Sequence, residues 1–132
     1  MPRKKPLKLA PEDMDKFVGN VLKLSVMQFQ TDLGSTAISP RDEGRLRSNW
    51  FAQVGSSSSE ETKATDRPQT DAEQLPVDRE KRVFLTNNLD YAERLCFGDY
   101  AVSKDPDWFR QYFASTGQTV VDDAAKAAER LI

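Results

Sequence analysis

Asp42-Glu43-Gly44-Arg45-Leu46-Arg47-Ser48-Asn49-Trp50 decides how the chain is read, because it separates a long helical pattern from a strand. Upstream of it, Met14, Phe17, Val18, Val21, Leu22, Val26, Phe29 and Leu33 recur at helical spacing and form one apolar stripe. Pro11, Glu12 and Asp13 suit a first helical turn, where proline loses no hydrogen bond and acids favour the dipole. Gly34 suits the stop. Gly19, inside the helix, costs about 1 kcal/mol relative to alanine and permits a close neighbour. Ser39-Pro40-Arg41-Asp42-Glu43 reads as a cap followed by a short helical turn. Downstream, Trp50, Ala52 and Val54 alternate with Phe51 and Gln53, which is strand spacing.

A second stretch answers the first: Leu85-Thr86-Asn87-Asn88-Leu89-Asp90-Tyr91-Ala92-Glu93-Arg94-Leu95, closed by Gly98. Val83 to Thr86 reads as a second strand, antiparallel to the first. Leu89 to Phe97 reads as a short helix capped by Asn87 or Asn88. Tyr100 to Val102 is placed as a short strand. Asp105-Pro106-Asp107 opens a last helix, with Phe109, Tyr112, Phe113, Thr116, Val120, Ala124, Ala128 and Leu131 at helical spacing, and Gly117 as a place for it to bend. Between the strands, Gly55 opens a polar segment with Ser56-Ser57-Ser58-Ser59, Glu60, Glu61, Lys63, Asp66 and Arg67. It has too little apolar surface to offset its own ordering entropy. Two readings stay open for it: a flexible loop, or an arm that orders against a neighbouring subunit or lines a channel.

The expected architecture is α+β. A small antiparallel sheet packs against a long N-terminal helix and a C-terminal helix, with a long polar hairpin loop at about residues 55–81. Residues 1–10 form a basic flexible arm, and residues 11–132 one domain. So small a sheet exposes edges that other copies of the chain can pair with.

Composition narrows the chemistry. The chain has 132 residues, 38% hydrophobic and 30% charged. It has no run long and apolar enough for a membrane span, which needs roughly 20 residues. It contains no histidine, which removes His-dependent triads, His general bases and His–metal sites. Its single cysteine, Cys96, has no partner for an internal disulfide and fits a small buried hydrophobe better than a reactive thiol. Arg3, Lys4, Lys5 and Lys8 make the arm basic while the whole chain carries a net charge of −2, so the body is acidic. Such an arm suits phosphates, an acidic face on another subunit, or simple solvation.

The best enzymatic candidate is Asp78-Arg79-Glu80-Lys81, in which two carboxylates and a lysine have the makings of a magnesium-dependent nuclease site. The spacing is loose, and a solvated strand end explains the same residues. Arg45, Arg47 and Trp50 have types that contact nucleic acid, but no basic stripe runs along an element. A small nucleic-acid-binding adaptor and a metal-dependent nuclease are therefore the alternative classes.

Taken together, the two stretches resemble a family of phage head–tail joining or tail-completion (neck) proteins, one that includes the minor tail protein Z of phage lambda. The resemblance rests on Glu43-Gly44-Arg45-Leu46-Arg47-Ser48-Asn49-Trp50, then Thr86-Asn87-Asn88, Tyr91-Ala92 and Cys96-Phe97-Gly98, in that order, from about residue 12 to 131. Cys96 stands where the family carries a glutamate. The resemblance implies a structural virion protein of the tail or neck, assembled from the host cytoplasm, with no catalysis and no cofactor. It implies a ring of identical subunits, a hexamer matching tail symmetry, between the tail terminator or tail tube protein and the head connector or stopper proteins. DNA would pass through the lumen without sequence-specific binding. Arg45, Arg47, Trp50, Asn87, Tyr91 and Gly98 are the interface candidates it implies.

Overall fold

A computed structural model of the protein describes residues 10–35, 38, 44–65, 67–76, 82–97 and 107–131. Residues 1–9 of the expected arm, the turn at residues 39–43, the Asp78–Lys81 cluster, Gly98 and the strand at residues 100–102 lie outside them.

Helix α1 spans Pro11–Leu33, with Pro11 at the first position and Glu12 and Asp13 in the first turn. It stops at Gly34, but Gly34 has φ −80, an ordinary right-handed conformation. What requires a glycine there is proximity: a Cβ on Gly34 would stand 2.6 Å from Cβ of Pro68. Two strands, β1 (Trp50–Val54) and β2 (Val83–Asn87), pair antiparallel with Trp50 opposite Asn87, Ala52 opposite Leu85 and Val54 opposite Val83. Trp50, Phe51 and Ala52 are all buried, so the start of β1 is covered on both faces.

Helix α2 spans Ala92–Phe97. It begins later than the apolar spacing predicts because Asn87 and Leu89 are spent on a turn. The Leu89 N–H donates to Asn87 Oδ1 at 3.2 Å, and the Leu89 carbonyl accepts the Ala92 N–H at 3.0 Å. The C-terminal helix comes in two α-helical pieces, α3 (Trp108–Tyr112) and α4 (Gln118–Glu129), joined by a wide π-helical turn over Phe113–Gly117. Its buried residues Trp108, Tyr112, Val120, Ala124 and Ala128 fall at multiples of four. A step of four overshoots an α-helical turn by about 40°. The wide turn takes back part of that drift and keeps the stripe on one side. The α4 part of the stripe packs along α1, where its alanines permit close approach.

The fold is thus α+β: a two-stranded antiparallel sheet packed against an N-terminal and a C-terminal helix. Leu33, Leu46, Trp50, Leu89, Ala92, Cys96 and Trp108 form the buried cluster, with Leu85, Tyr91, Phe109 and Phe113 packed on it. Phe109 carries α3 to the sheet by stacking on Trp50, with ring centroids 5.8 Å apart. The indole N–H of Trp108 donates to the Leu95 carbonyl at 2.6 Å and ties α3 to α2.

Candidate functional site

The two sequence stretches meet in space. Asn87, at the end of β2, lies opposite Trp50 at the start of β1, and its side-chain amide donates to the Leu46 carbonyl at 2.9 Å. Upstream of Trp50 the chain makes a tight turn. Gly44 takes φ +80, a conformation that favours glycine. Ser48 N–H then donates to the Arg45 carbonyl and Asn49 N–H to the Leu46 carbonyl, each at 3.2 Å. Leu46, Ser48 and Asn49 are completely buried.

Of the interface candidates, Trp50 is 6% and Arg47 9% exposed, so neither offers much side chain to a neighbour. Arg45 is half-buried, and its Nε is buried without an acceptor among the described residues. The indole Nε1 of Trp50 is likewise buried without an acceptor. Tyr91 is half-buried against the core cluster. Gly98 falls outside the described residues. The structure therefore brings Arg45, Arg47, Trp50, Asn87 and Tyr91 into one region, and it makes them chiefly the inner wall of that region.

The residues that sequence reading passed over are the small polar ones. Asn49 clasps residue 62 from both sides: its amide donates to the Thr62 carbonyl at 3.1 Å, and its Oδ1 accepts the Thr62 N–H at 2.8 Å. Ser48 Oγ accepts the Arg67 N–H at 2.7 Å and donates to the Gly44 carbonyl at 2.8 Å. Gln69 donates to the Ser48 carbonyl at 2.9 Å. Asn88 donates to the carbonyls of Ser58 and Glu60 at 2.7 and 3.0 Å. Over its described part, the polar segment after Gly55 is therefore hydrogen-bonded across the motif region within its own chain. Ser58 is itself buried, and a 3-10 turn at Asp71–Gln74 buries Ala72 completely.

Gln30 of α1, 2% exposed, closes the arrangement. Its amide donates to the Trp50 carbonyl at 2.9 Å and to the Asp71 carboxylate, while its Oε1 accepts the Ala72 N–H at 3.2 Å. The same carboxylate accepts the Ala52 N–H at 3.2 Å.

Beside the motif region lies an open groove of about 240 Å³, walled by Trp50, Asn87, Ala92, Cys96, Phe97 and Phe109, with Glu93 also lining it. Phe97 is 48% exposed. Burial pushes the Cys96 thiol up to about 12, so it stays protonated at neutral pH and serves as packing. A larger groove of about 470 Å³ runs between α1 and α4, past Gln28, Asp32, Thr116 and Asp123. Both oxygens of Asp32 are engaged there, one by Gln28 at 2.8 Å and the other by the Tyr112 hydroxyl. Burial first, and then the neighbouring Asp32 carboxylate, raise the Tyr112 pKa. Among the described residues, no three acidic or thiol side chains cluster as a metal site would require, and no helix is long and apolar enough to cross a membrane. No family model, curated protein or solved structure matches the chain.

Proposed function

We propose that the protein is a structural subunit of a phage neck. It would complete the tail and join it to the head as a ring of identical copies, a hexamer in register with the tail. The observation that carries this reading is the meeting of the two stretches that resemble neck proteins. Residues 44–50 and 85–91 are distant in sequence, yet they share a strand pairing, a side-chain hydrogen bond and one buried cluster. The role asks for no reactive centre. It asks for a rigid body that presents the same surface in every copy, and polar clamps between distant segments provide that rigidity.

In this reading the tail terminator or tail tube protein lies on one side of the ring and the connector or stopper proteins on the other. Copies contact head to tail and close by rotation. DNA passes through the lumen and is not read. The protein accumulates in the host cytoplasm and ends in the virion. The test is to mix purified protein with tail tubes that lack their completing component and image the tube ends by electron microscopy. Rings at one end, with restored joining to heads, are the expected result. Bare tube ends, together with salt-sensitive DNA binding that disappears when residues 1–8 are deleted, would replace this reading with a nucleic-acid adaptor.

A further inference from the structure

We draw no further inference here: the strongest candidate, the open groove between α1 and α4, has one carboxylate, Asp32, already held by Gln28 and Tyr112 and a second, Asp123, exposed, and nothing in the structure shows what covers it.

Discussion

Gln30 shows how a single polar residue decides the local arrangement. It sits on α1, 2% exposed, and serves β1, Asp71 and Ala72 at once. In Gln30→Ala the Trp50 carbonyl and the Ala72 N–H lose their mate while remaining buried, and each orphaned group costs about 1–3 kcal/mol. We expect Gln30→Ala to lose about 3 kcal/mol in urea denaturation. Loss below about 0.5 kcal/mol would mean that water replaces the amide. Cys96 and Tyr112 set a pH dependence whose sign follows from burial. Both pKa values are higher in the folded chain than in the unfolded one. The stability they contribute is fully present below the unfolded values and is lost as pH rises toward the folded ones. For Cys96 that window runs from 9.0 to about 12. The urea midpoint should therefore fall as pH rises through this range, and the fall should be shallower in Cys96→Ala. An equal fall in both proteins would assign the effect elsewhere.

Two glycines on the helices give opposite predictions at the scale of the element. Gly34 has right-handed φ, so alanine would suit the helix end and gain part of the usual 1 kcal/mol. Its Cβ would nevertheless meet the Pro68 ring carbon at 2.6 Å, and either the helix end or the segment crossing it must move. Overpacking of this kind costs about 1–3 kcal/mol, so Gly34→Ala should lower the melting temperature. Gly117 lies in the π-helical turn, also right-handed, and the nearest atom to an added Cβ is Cδ1 of Phe113 at 3.8 Å. There is room, and Gly117→Ala should raise stability by about 0.5–1 kcal/mol. A melting temperature that falls in Gly117→Ala would mean that the wide turn needs glycine for a reason other than space. These elements were largely legible in the sequence, because helices and strands that bury one face repeat at 3.6 and 2 residues. Trp50–Val54 and Pro11–Leu33 follow from spacing alone. The late start of α2 was hidden because Leu89 has helical spacing but is held by Asn87, while the π-helical turn shows in the sequence only as the four-residue step of the stripe and the glycine at the turn's end.

For the molecule as a whole, the least legible part is the polar segment between the strands. Its composition argues for a loop without internal cohesion, and internally that is correct. Its partners lie elsewhere in the chain, 13 to 42 residues away: Ser48, Asn49 and Asn88 hold its middle, and Gln30 holds its end. Donor–acceptor matches at such separations have no period, so no window along the sequence reveals them. For the same reason, the spacing that makes Arg45 and Arg47 interface candidates gives no sign that the turn at Gly44 folds Arg47 inward. The segment therefore belongs to the body of the fold, and its loss should be felt in the isolated chain. Replacing residues 58–69 by a short glycine linker strips Ser48 and Asn49, both completely buried, of their partners on the segment and opens the motif region to water. With the orphaned groups at about 1–3 kcal/mol each, the loss approaches the whole stability of a small domain. The expected outcome is a chain that has lost cooperative thermal unfolding, observed by circular dichroism. A linker variant that melts cooperatively within a few degrees of the parent would show instead that the segment is an appendage. Its hydrogen bonds would then be worth no more to the fold than the water they displace.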